Sequence, residues 1–181
     1  MKRRDAILTL IDALSGRHDL GRTALQKAAY FVDARLRLGF GHSAYYYGPF
    51  SSALESDVVT LVNAGLVREK EHRLGFVNQQ GFEGRQYEYD LDDAGKERVA
   101  RIADKYPDEV DEIRRVAATL LASPHGLDQK LLSAAAKVHY IEELEGELTP
   151  EEIEEVARQF NWTLPASTVE RVRRLLADLD L

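Results

Sequence analysis

The densest run of chemically capable side chains is Tyr45-Tyr46-Tyr47-Gly48-Pro49-Phe50. Tyrosine is large, rigid and amphipathic, which suits it to recognition surfaces. In an extended segment alternate side chains point to opposite faces, so Tyr46 faces one way and Tyr45 and Tyr47 the other. Two readings are open. The run packs into the core around a proline-fixed turn, or Tyr45, Tyr46, Tyr47 and Phe50 form an interaction surface.

Other reactive residue types lack the spacing that catalysis needs. The five histidines are His18, His42, His72, His125 and His139, and no two sit at i, i+3 or i, i+4. That pattern matches no familiar metal-ligand spacing, leaving only a site assembled from distant positions. With no cysteine in the chain, thiolate zinc sites, iron–sulfur clusters and cysteine nucleophiles are excluded. Gly39-Phe40-Gly41 and Gly81…Gly84 do not sit in the strand–loop–helix grammar of a phosphate cradle, and there is no Gly-x-Ser-x-Gly elbow. The carboxylate pairs Glu142-Glu143, Glu151-Glu152 and Glu154-Glu155 lie at helix starts and polar faces, where capping and solvation explain them. The expectation is a chain with no catalytic residues, no metal ligands and no cofactor.

The elements that must position the tyrosines can be read from periodicity. Ile7, Leu8, Ile11 and Leu14 recur at helical spacing over 3–15, stopped by Gly16. A second helix over 24–38 starts at a Thr23…Gln26 capping box and ends at Gly39 and Gly41. A short extended piece, 42–47, precedes the Gly48-Pro49 turn, and a third helix over 53–64 starts at a Ser52…Glu55 box. Gly65 takes a left-handed cap, so that Leu66 and Val67 insert under a sheet. Residues 73–78 and 86–91 read as strands of a hairpin with its loop at Gln79–Gly84. Asp92 or Asp93 caps a fourth helix, ending near Lys105. After Pro107 the pattern is helical: 108–122, a break at Ser123–Gly126, then 128–145 with an inner face running from Leu131 to Leu144. Thr149-Pro150-Glu151-Glu152 is a capping box with proline at the first helical position, and Ser167…Glu170 opens the last helix. The fold class is therefore mostly α, α+β. A winged-helix-like unit with a two-stranded hairpin (residues 1–106) is followed by a helical extension (107–181), packed on it or on a partner.

A winged helix raises the question of DNA. The net charge is −7, from 24 basic and 31 acidic residues, but residues 1–50 hold 8 basic against 4 acidic. Arg3, Arg4, Arg22, Lys27, Arg35 and Arg37 are the candidate phosphate contacts. The third helix argues the other way. From Pro49 to Val67 there is no Lys or Arg, while Glu55 and Asp57 fall inside that stretch. A helix that reads the major groove normally offers Arg, Lys, Asn or Gln.

Two motifs together resemble a known family. Gly-Arg-Thr-Ala-Leu-Gln-Lys-Ala-Ala-Tyr-Phe-Val-Asp at 21–33 contains a Leu-x-Lys-x-x-Tyr-Phe helix, and Tyr-Tyr-Tyr-Gly-Pro-Phe-Ser-Ser-Ala-Leu follows at 45–54. The pair is similar to the Panacea antitoxin-domain family over roughly residues 5–91. The resemblance implies a non-enzymatic partner of a toxin or defence effector, in some members an adaptor to a protease. Leu25, Lys27, Tyr30 and Phe31 carry the first motif, and Tyr47, Gly48, Pro49 and Phe50 the second. They are expected to define the fold.

The expected function is thus a non-catalytic protein-interaction module with a protein partner, a homodimer being possible. The alternative is a winged-helix DNA-binding regulator. The lack of cysteine favours a reducing compartment. The basic start runs into a helical pattern containing Asp12 instead of an apolar leader, and no apolar run approaches the roughly 18 residues a membrane span needs. A cytoplasmic protein with no membrane partner is expected.

Overall fold

The computed structural model describes residues 1–16, 20–77, 83–122 and 127–181, with the side chains of 74–77 and 83–85 outside that description. Among the described residues the chain forms eight helices and one hairpin. In order they are α1 (Arg3–Ala13), α2 (Arg22–Leu36), α3 (Ser52–Asn63), β1 (Val67–Val77), β2 (Glu83–Leu91), α4 (Asp93–Lys105), α5 (Pro107–Ala122), α6 (Gln129–Glu145), α7 (Pro150–Gln159) and α8 (Ala166–Asp178). The mostly helical α+β class and the helix, helix, helix, hairpin order are as the periodicity predicts. The Gln79–Phe82 part of the hairpin loop, the Ser123–Gly126 break, His18 and His125 lie outside the described residues.

The hairpin is antiparallel, in register from Val67↔Leu91 to Arg73↔Arg85, with a shift before Val77↔Glu83. Its first strand begins at Val67, earlier than expected, because Gly65 (φ +67°) turns the chain straight off α3 into the ladder. Val67 and Leu91 are buried at the open end of the hairpin, away from its loop.

Helix starts follow long-range bonds more than local pattern. The capping box at Thr149 and Glu152 forms as expected. The other expected caps shift. The cap of α3 is Ser51, whose Oγ accepts from Leu54 N (2.9 Å) and donates to Phe40 O (2.6 Å). Helix α2 starts from Gly21 with no side-chain cap, and Gln26 is buried instead against Ser51. Asp92 precedes α4 without capping it, because its carboxylate takes Arg68 at 2.7 Å. Helix α8 starts after Pro165 with no side-chain cap, so the Ser167…Glu170 box does not form.

Helix α2 is the centre of the molecule. Ala24 through Val32 are buried without interruption, which a helix achieves only when other elements cover every side. It packs against α1, α5, α6 and β2. The alanines at 24, 28 and 29 let those neighbours approach closely. Helix α1 lies between α4 and α5, and α7 and α8 pack on α6. One core runs across the Tyr106-Pro107 junction, with Ile7, Phe31 and Leu54 in the same cluster as Ile113, Leu132 and Val138. Leu144, expected to face inward, is exposed. No described helix is long and apolar enough to cross a membrane.

Candidate functional site

The tyrosine run is neither a strand nor core. Ser43 and Phe50 pair as a single antiparallel bridge, with N–H···O distances of 3.0 and 2.9 Å. Between them the chain turns back, and Gly48 N donates to Tyr45 O at 3.0 Å. A turn abolishes the period-2 alternation that places residues on opposite faces. All three phenols therefore point outward, with exposures of 53, 78 and 72% for Tyr45, Tyr46 and Tyr47. The core-packing reading of these three is thereby overturned. Phe50 is half-buried, its ring centroid 5.2 Å from that of Tyr45.

The backbone beneath these rings is held from several directions. Gln26 makes a two-way amide pair with Ser51, Nε2 to O at 2.9 Å and N to Oε1 at 3.0 Å. Lys27 Nζ donates to Pro49 O at 2.6 Å. Trp162 Nε1, from the segment after α7, donates to Tyr45 O at 2.6 Å. Gly48 (φ +97°) rests on α6, where an added Cβ would lie 3.1 Å from Lys137 Cγ and 3.3 Å from Ser133 O. Both its dihedral and its neighbours call for glycine. The lysine of the first sequence motif is thus bonded to the proline of the second, which is a physical reason for the two to occur together.

Lys27 requires a correction. As a phosphate contact it would need to be exposed, but it is only 2% exposed, enclosed beneath the Gly48-Pro49 corner. Desolvation, helped by the nearby charge of Lys137, pulls its pKa from 10.5 down to about 8. The sign of the linkage follows. Between about pH 8 and 10.5 the unfolded chain holds this proton and the folded chain does not, so stability from Lys27 rises with pH across that window. Below pH 8 the folded state carries a buried-charge cost on the order of 3 kcal/mol. Denaturant titrations from pH 7.5 to 9.5 should show wild type gaining on Lys27→Met by about 1–2 kcal/mol. A constant offset between the two would mean that Lys27 keeps its proton throughout.

The other candidate cations are mostly engaged within the molecule. Arg3 and Arg4 converge on the buried Asp57, at 3.1 and 2.7 Å. Arg22 bonds Tyr89 Oη (3.1 Å) and Glu69 (3.4 Å) and lies 3.5 Å over the Tyr87 ring. Arg35 takes Glu112 at 2.7 Å. Of the six, Arg37 alone is exposed with no carboxylate partner among the described residues. A duplex would have to compete with these internal carboxylates for most of the N-terminal arginines. The outward residues of α3 are Ser52, Glu55, Ser56, Val59 and Asn63, none of them cationic.

Beside the tyrosine turn lies a cleft of about 450 Å³ between α2, α3 and the start of the hairpin. Leu25, Leu54, Val58, Val59, Tyr45 and Phe50 supply its apolar walls. Arg22, Glu69 and Tyr89 line it as well. Tyr89 Oη donates to Glu69 at 2.6 Å, and burial, reinforced by Glu69, pushes the pKa of the phenol up. Val59 stands exposed on the lip of the cleft.

Of the other motif residues, Leu25, Tyr30, Phe31, Gly48 and Pro49 are buried. Tyr30 reaches across to α6, sharing a 2.7 Å hydrogen bond with His139 Nδ1. Burial raises the Tyr30 pKa and lowers that of His139, so both are neutral near pH 7. Asp33 accepts from Gly39 N and Phe40 N and lies 3.3 Å from His42 Nδ1, while His42 Nε2 is buried without a partner among the described residues. Tyr30, Asp33 and His42 come from one short stretch, but His139 joins this cluster from 109 positions beyond Tyr30, so spacing does not reveal it. Among the described residues there is no group of three or more His, Cys, Asp or Glu side chains arranged to hold a metal ion. Trp162 was equally invisible to spacing, although a lone tryptophan in a chain of 181 residues invites inspection.

No protein-family model matches the chain, and no curated protein matches it significantly. The Panacea resemblance rests on the two motifs alone.

Proposed function

We propose that this chain is a cytoplasmic, non-catalytic protein-binding module of the antitoxin or adaptor kind that the two motifs imply. It seats a segment of a partner protein, such as a toxin or defence effector, in the cleft beside the tyrosine turn. The observation that carries this reading is the pairing of three outward phenols with an adjacent apolar cleft of about 450 Å³. Isolated exposed apolar residues are ordinary, whereas a contiguous aromatic and aliphatic patch on a braced backbone is what interfaces use. Bracing matters because a loop already held in its binding shape loses little entropy on association.

Affinity capture from the native host tests this with the full chain and two variants, Val59→Asp and Tyr46→Ala. Both side chains are exposed, so the fold should survive, which circular dichroism checks. The expected result is a stoichiometric protein partner that withstands nuclease treatment and is recovered about tenfold less with Val59→Asp. Equal recovery by wild type and both variants would remove the cleft from the mechanism. A partner that disappears with nuclease would favour DNA binding instead.

A further inference from the structure

We infer that the occupant of this cleft is a basic amphipathic segment: two or three apolar anchors with Lys or Arg beside them. The inference rests on the docking reading above and adds the chemistry of the partner. It follows from which charged groups around the cleft already have partners. Arg22 and Glu69 are ion-paired at 3.4 Å and share the hydroxyl of Tyr89. Lys27 is enclosed below the floor, on Pro49 O at 2.6 Å. That leaves Glu55. It lies in the first turn of α3, lines the cleft and is exposed, and its carboxylate has no partner among the described residues.

Three further features favour a cation in the partner. No Lys or Arg occurs between Pro49 and Val67, so α3 itself carries no like charge against an arriving cation, and Arg3 and Arg4 beside it are paired with Asp57. Tyr45 and Tyr47 line the cleft and are exposed, as is the adjacent Tyr46, and tyrosine ring faces attract ammonium and guanidinium groups. The whole chain carries −7, which steers basic partners towards it. An acidic segment would set its carboxylates against Glu55, and the half-exposed Arg22 that also lines the cleft is already paired with Glu69 at 3.4 Å. Apolar anchors at helical spacing would fill the cleft between Leu25, Leu54 and Val58, as in other helix-in-groove complexes.

The probe is a random phage-displayed library of peptides about 12 residues long, selected on the full chain and counter-selected on Val59→Asp. Expected are cleft-dependent peptides that combine Leu, Ile, Val or Phe with at least one Lys or Arg. A synthetic copy of the best peptide should bind about tenfold more weakly to Glu55→Lys, and Glu55→Gln should give a smaller loss in the same direction. Replacing the peptide's basic residue with Glu should restore binding to Glu55→Lys. Glu97→Gln, on the exposed face of α4, should change nothing. Cleft-dependent peptides without basic residues, or binding indifferent to both Glu55 variants, would overturn this inference and leave the docking reading standing. If no enriched peptide responds to Val59→Asp, both are overturned.

Discussion

Gly95→Ala should lower the stability of the fold by about 2 kcal/mol or more, although alanine is the better helix former by about 1 kcal/mol. Gly95 lies buried in the first turn of α4, with its Cα facing the carbonyl of Leu66. A methyl group there would collide with that carbonyl oxygen and come within 3.2 Å of the carbonyl carbon. The oxygen cannot swing aside, because it belongs to the backbone entering β1 and already accepts from Asp92 N at 3.2 Å. Helix α4 or the hairpin must move as a unit, so the steric cost outweighs the propensity gain. For a domain of this size the loss corresponds to a fall in Tm of roughly 6 °C or more, measurable by calorimetry. A Tm that stays level or rises would show that the junction between β1 and α4 yields easily.

Trp162→Ala is the second large effect, expected at about 3–5 kcal/mol. The indole is almost fully buried and stacks on Phe160 at 4.8 Å, with Tyr140 edge-on at 6.0 Å. Truncation empties that cluster and leaves Tyr45 O without its donor. Trp162→Phe separates the two contributions. It keeps most of the packing and removes the N–H, so the stability cost should be about 1 kcal/mol. Its diagnostic effect is local: the amides of Gly48 and Phe50, which close the tyrosine turn, should exchange with solvent several-fold faster while core amides hardly change. Unchanged exchange at both amides would mean that the turn is held by Lys27 and Gln26 without help from the indole.

What could be read in the sequence was whatever local chemistry decides. The Thr149 box and the Gly65 cap depend on residues within a turn of each other, and both formed as expected. Gln26 shows where such reading ends. It sits three residues after Thr23, the spacing of a capping box, yet its amide is taken by Ser51, 25 residues away. Lys27 is similar: a lysine among arginines in a basic stretch reads as surface charge, and only the folded corner at Pro49 makes it internal. The tyrosines were found by type but not by orientation, because alternation presupposes a strand and Gly48-Pro49 makes a turn instead. Gly95 left a faint signal. A glycine early in a strong helical pattern costs stability, so its presence hints at a close backbone approach. The Tyr30–His139 and Trp162–Tyr45 bonds left no local pattern, since they join positions 109 and 117 residues apart.

The tie between Trp162 and Tyr45 spans 117 positions and has a consequence for the order of events during synthesis. The three phenols emerge from the ribosome before the indole that braces their turn, which follows Tyr45 by 117 positions. A growing chain therefore displays these rings without their full support. The turn reaches its fully braced form only once the chain has grown past Trp162.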